Sequence, residues 1–133
     1  MTTDKEEVTK HQLLPCSFKF YDFNFEAGQV RFSCHIIKME ASLYLWAGDF
    51  PTGSMNDLTF ALLSQYETLP ISTRLMGSLA DTTSTNFAKR LAKKIGKPVY
   101  VSFNIGTDNL SLPAVEKRIF QEFKEHPEIL SFD

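Results

Sequence analysis

The chain has 133 residues, 43% apolar and 13% aromatic, with 14 basic against 16 acidic side chains and a net charge of −2. That length fits one domain with one core, and the near-neutral, aromatic-rich balance excludes a disordered or generally cationic chain and disfavours nucleic acid as a partner. No stretch reaches the ~18 apolar residues of a membrane helix, the start MTTDKEEVTKHQ is too polar for a signal peptide, and Cys16 and Cys34 lack metal or redox spacing, so the expectation is a soluble intracellular protein without membrane contact, metal or cofactor.

Residues 1–14 carry charge without periodicity and are expected as a flexible N-terminal arm, followed by one domain over 15–126 and a C-terminal tail over 127–133. From Ser17 to Phe25 the chain alternates, with Phe18 and Phe20 on one side and Tyr21, Phe23 and Phe25 on the other, which predicts a strand. A turn at Gly28 leads to a second strand, where Val30, Phe32, Cys34 and Ile36 share a face opposite Arg31, Ser33 and His35, and the two form a hairpin. In a third strand Leu43, Leu45 and Ala47 alternate with Tyr44, Trp46 and Gly48.

Residues 49–57, DFPTGSMND, have loop chemistry but carry two large apolar residues, Phe50 and Met55, which either fold back on the core or meet a partner. For Leu58 to Tyr66 the pattern alone leaves strand and helix open. Ile71 to Met76, between Pro70 and Gly77, reads as a short strand. The hydroxyl run Thr82, Thr83, Ser84, Thr85 then offers side-chain caps for a helix whose stripe is Phe87, Leu91 and Ile95, widened by Ala88 and Ala92. Lys89, Arg90, Lys93 and Lys94 fill its other face, and Gly96 with Pro98 ends it. Val99, Val101, Phe103 and Ile105 alternate cleanly in a further strand. A last helix follows with Val115, Ile119 and Phe123 inward and Glu116, Arg118, Glu122 and Glu125 outward, stopped by Pro127.

About six strands and two helices, with hairpins early and no strand–helix alternation, predict an α+β fold: a single, mainly antiparallel sheet with both helices on one face. Two helices about 10 Å wide cover one face and leave the other bare. Since Tyr44 and Trp46 stand opposite Leu43 and Leu45, the bare face stays apolar. A second subunit packed through the sheet surface, at a typical ~800 Å² per partner, is the expected cover.

Catalytic chemistry is missing. Cys34 and His35 are strand neighbours that point to opposite faces, and the chain has no phosphate loop, HExxH or serine elbow. A hydrolase using Thr83 or Ser84 with His35 is the weakest reading. The D-T-T-S-T run suits a helix cap better than a phosphate site, because no glycine or inward lysine accompanies it. The basic helix face suits solvent or an acidic protein better than RNA, because the aromatics lie in strands.

The strings P-I-S-T-R-L-M-G (70–77), D-T-T-S-T (81–85), A-K-R-L-A-K-K (88–94) and V-Y-V-S-F-N (99–104), with S-L-Y-L-W-A-G at 42–48, together resemble the proteasome assembly chaperone 4 family over about residues 30–115. With the short turns around it, the resemblance turns Leu58 to Tyr66 towards a strand. It implies a non-catalytic, cytoplasmic and nuclear chaperone that pairs with a sister, proteasome assembly chaperone 3, helps build the α ring of the 20S proteasome and then leaves. For this chain the dimer candidates are His35, Tyr44 and Trp46, on the amphipathic side of their strands. The candidates for a proteasome α subunit are Phe50 and Met55, with Lys93 and Lys94 as an electrostatic option. The chain departs from the family pattern in a longer N-terminal arm and in added loop residues near 51–56. The competing class is a small dimeric α+β adaptor of the roadblock or longin kind, acting in trafficking or signalling.

Overall fold

A computed structural model of the chain describes residues 17–27, 30–49, 53–66, 68–78, 81–105 and 112–132. The N-terminal arm, Cys16 and Phe50 lie outside them. The strands are β1 (Lys19–Ala27), β2 (Val30–Lys38), β3 (Leu43–Asp49), β4 (Leu58–Leu62), β5 (Ile71–Met76) and β6 (Val99–Asn104). Helix α1 (Thr83–Ile95) lies between β5 and β6, α2 (Leu112–Glu125) follows, and a 3-10 turn (Pro127–Leu130) closes the chain.

All six strands form one sheet in the order β1-β2-β3-β6-β4-β5. Every neighbouring pair is antiparallel except β3 with β6, which is parallel. The expected mainly antiparallel sheet is therefore mixed at its centre. Because β4 runs against both β5 and β6, those two are parallel, and α1 is the crossover that carries the chain from one to the other past β4. The strand at 58–66 is shorter than expected and stops at Leu62.

Alternation decides which side of each strand meets the helices. The register aligns Ile36, Leu45 and Val101 in one row and Cys34, Ala47 and Phe103 in the next, and these pack with Phe87, Leu91, Ile119 and Phe123 in the core. α1 lies over β4, β5 and β6 and α2 over β1, with Phe87 and Phe120 joining the helices at 5.0 Å between ring centroids. Each fully buried Leu, Ile or Phe contributes about 1.5–3 kcal/mol by the apolar area it removes from water. Glu122, expected outward on α2, is instead buried: Arg118 lies 3.1 Å from its carboxylate and keeps the charge paired, and His126 Nε2 lies at the same distance. The segment expected as a tail also belongs to the packed domain, since Ile129 is fully buried in the core and Lys38 donates to the Glu128 carbonyl at 2.8 Å.

The start of α1 corrects another expectation. Thr82 occupies the N-cap position, yet its side chain makes no capping bond; the Thr83 N–H donates instead to the Asp81 carboxylate at 3.0 Å. Thr83 is the first helical residue, and Ser84 is buried with its hydroxyl 2.9 Å from that of Thr59 on β4. The hydroxyl run serves a polar network centred on Arg74 of β5. Its guanidinium donates to the Asp57 carboxylate and the Asp81 carbonyl, and at 3.2 Å to the hydroxyls of both Ser84 and Thr85. The second carboxylate oxygen of Asp57 accepts the Phe103 N–H at 3.1 Å, and Ser102 donates to the Asp57 carbonyl. Gly77 turns at φ 112, and a Cβ there would stand 3.0 Å from the Asp57 carboxylate, so a side chain would be strained in backbone and crowd the pair.

Two outcomes follow from this network. The Arg74 and Asp57 side chains are only 7% and 13% exposed, so Arg74→Ala leaves a buried carboxylate uncompensated and is expected to lower stability by about 3 kcal/mol; chemical denaturation measures it, and a double cycle with Asp57→Ala should be strongly non-additive. The Asp81 carboxyl is held below its ordinary value, first by the Thr83 N–H and then by the Thr83 hydroxyl, with the Arg74 charge adding. A depressed folded-state pKa gives stability that is complete above about pH 3.9 and is lost as pH falls through the lower value. Asp81→Asn should therefore flatten the acid limb of the stability curve below about pH 4, and equal acid limbs would contradict the assignment.

Candidate interaction site

Among the described residues, the sheet face away from the helices is left without a covering layer. Register places Phe20, Ile37, Tyr44, Tyr100 and Phe60 in one continuous row across five strands. Phe60 and Tyr100 pack at 4.8 Å between centroids, while Phe20 at one end is 60% exposed. Beyond the row, at the β4–β5 end, Ile71 is 43% exposed and Tyr66 of the connecting loop 85%, with Leu63 and Leu69 also exposed. Burial raises the pKa of the half-buried Tyr44 phenol, as expected for a hydroxyl with one side against apolar neighbours.

The next row is polar. Asp22, His35, Trp46 and Ser102 lie side by side, His35 Nδ1 is 2.6 Å from the Asp22 carboxylate, and its ring is 5.1 Å from that of Trp46. Trp46 is not presented to a partner. It is only 8% exposed because residues 53–57 fold over it: its indole N–H donates to the Ser54 carbonyl at 2.9 Å, and the ring lies across Gly48 so closely that a Cβ there would meet it at 2.5 Å. Strand alternation assigns Trp46 to the outer face correctly but is blind to the loop that covers it.

Of the expected dimer residues, His35 and Tyr44 therefore reach the outer surface and Trp46 does not. Met55 reaches it too, and its sulfur is 3.8 Å from the Tyr44 hydroxyl, so the structure joins a residue expected to meet a proteasome subunit to the expected dimer face. Lys93 and Lys94 are exposed on α1, in the helix layer on the other side of the sheet. Missed by sequence reasoning were Tyr66, Leu69 and Ile71. For Tyr66 and Leu69 the signal was present, since large apolar residues in a polar connecting stretch are the same sign that singled out Phe50 and Met55.

The hydrolase arrangement is contradicted. His35 lies on the outer face, whereas Ser84 is buried under the helix side of the sheet against Thr59 and Arg74. Cys34 is fully buried, and desolvation raises its thiol pKa far above the ordinary value, which leaves it unreactive. Glu122, Glu125 and His126 come within 4.8 Å of one another, but Glu122 already has Arg118 and His126 as partners, so the group reads as an ion-pair cluster.

The Gly48 contact has a measurable consequence. Gly48→Ala should expel the Trp46 ring and loosen the 53–57 loop, lowering stability by about 1–3 kcal/mol and shifting tryptophan emission to the red; with one tryptophan in the chain the signal has a single source.

A family model described as proteasome assembly chaperone 4 matches residues 31–105. The human protein of that name is 42% identical over 95 residues, which cover 71% of this chain and 76% of that protein, and the mouse protein is 41% identical over the same lengths. Among solved structures, a chain of the crystal structure of a novel chaperone complex for yeast 20S proteasome assembly shares the fold, with a TM-score of 0.67 over 87% of this chain and 100% of that one, at 13% identity.

Proposed function

The chain belongs to the proteasome assembly chaperone 4 family, and from that premise we propose that it is a non-catalytic chaperone for assembly of the 20S proteasome, working as one half of a heterodimer. The observation that carries the pairing is the apolar row from Phe20 to Phe60 on a sheet whose two helices, among the described residues, lie on the opposite side. A half-exposed apolar row of this kind, with Phe20 and Ile71 more open at its two edges, is unusual for a protein that works alone.

The partner that fits this face is a sister chaperone with its own uncovered sheet, proteasome assembly chaperone 3 in the family reading. Tyr44 and Met55 lie at the middle of the interface in this arrangement, His35 and Asp22 form its polar flank, and Trp46 acts from beneath by holding the 53–57 loop in place. The pair in turn binds free α subunits, favours their correct order in the ring and leaves before the particle matures. Its place of work is the cytoplasm and nucleus. The adaptor alternative draws no support from the family match.

Affinity purification of the tagged chain with mass spectrometry and sizing tests the reading. The expected recovery is one small sister protein with free α subunits and no mature β ring; a lone monomer without α subunits would sink it. Phe20→Asp combined with Ile71→Asp changes two side chains already in contact with water, so the fold should survive while pairing weakens at least tenfold. Unchanged pairing in that variant would place the sister elsewhere.

A further inference from the structure

Between Asp81 and Asp108 the sequence has no carboxylate and five basic residues: Lys89, Arg90, Lys93, Lys94 and Lys97. In a chain of net charge −2 this is a marked separation of charge, and four of the five lie on α1 outside its buried stripe, Lys97 following its end. Lys89 with Lys93 and Arg90 with Lys94 are like charges at i,i+4, a spacing that disfavours a helix. Only Arg90 is relieved by an ion pair among the described residues, to Glu116 of α2 at 2.9 Å. The helix C-terminal dipole accommodates Lys93 and Lys94 but lies too far from Lys89 to help it.

We infer that this face, centred on Lys89, Lys93 and Lys94, docks an acidic polypeptide segment of an α subunit while the outer sheet face holds the sister chaperone. The inference rests on the chaperone reading above. Charge complementarity selects the occupant: ammonium groups in rows one helical turn apart match a segment rich in Asp and Glu, and the outward side of α1 offers no aromatic ring on which a nucleic-acid base could stack. Position supplies the rest. α1 covers β4, β5 and β6 from the helix side, so a segment bound to it and a subunit bound to the opposite sheet face do not compete.

The test uses the full chain, the variant Lys89→Gln/Lys93→Gln/Lys94→Gln, and a control with the same charge change elsewhere, Lys19→Gln/Lys117→Gln/Lys124→Gln. The glutamines remove like-charge repulsion, so the first variant should fold at least as well as the parent. Each protein is titrated with poly-L-glutamate and with single-stranded oligothymidylate at about 50 and 300 mM salt. The expected result is salt-sensitive binding of poly-L-glutamate, weakened roughly tenfold in the α1 variant and little changed in the control. Equal loss in both variants, or tighter binding of the oligonucleotide, overturns the proposal.

A second arm measures purified α subunits against the chaperone pair. Loss of α-subunit binding in the α1 variant with the pair intact supports the inference. Equal binding by parent and variant overturns it and leaves the chaperone reading standing. No α subunit bound by the parent defeats the chaperone reading and the assignment of the segment to an α subunit, and the poly-L-glutamate arm then shows whether the face recognises acidic chains at all.

Discussion

One buried ion pair, Arg74 with Asp57, ties this fold together. It lies where four pieces of chain meet: the loop that covers Trp46, the edge strand β5, the start of α1 and the end of β6. A guanidinium in that place requires acceptors on several sides, and it finds a carboxylate, a carbonyl and two hydroxyls. Those requirements fix where the loop lies and where the helix begins. The sequence strings that carry the family resemblance converge here, since Arg74, Asp81, Ser84, Thr85 and Ser102 all belong to the one network. What makes the family recognisable is thus in large part a structural joint.

The second constraint is the one-sidedness of the layers. Both helices of the described residues spend their apolar stripes on the same face of the sheet, so the outer rows are finished by what lies nearby. At the polar end, residues 53–57 close over Trp46 and bond its indole N–H. Along the apolar row both edges stay open, since nothing in the described chain covers Phe20 on β1 or Ile71 on β5. One face is thereby divided into a sealed half that positions a loop and an open half suited to a partner.

Much of this was legible in the sequence because alternation reports which side of a strand a residue takes, and a four-residue stripe reports which side of a helix is buried. Phe32, Cys34 and Ile36 on β2, Phe87 and Leu91 on α1, and Tyr44 on the outer face of β3 all follow from spacing alone. Spacing does not report what arrives from elsewhere in the chain. Trp46 lost its exposure to a loop eight residues away, Glu122 became buried because Arg118 could pair with its charge, and Thr82 lost its capping role to its neighbour Asp81. The parallel pairing of β3 with β6 was hidden for the same reason, as it joins strands separated by two others and a helix.

That pairing has a consequence for how the molecule is made. β6 is the last strand in sequence yet lies in the middle of the sheet, hydrogen-bonded to β3 on one side and β4 on the other. As the chain leaves the ribosome, β1, β2 and β3 can form one meander and β4 and β5 one hairpin, but each fragment keeps an open edge until residues 99–104 emerge to join them. Closure of the sheet is therefore a late, long-range event, slow by its topology, and the nascent protein passes through a stage with two more unpaired strand edges, those of β3 and β4, than the finished sheet has. A chaperone of this design itself has a vulnerable interval during its own synthesis.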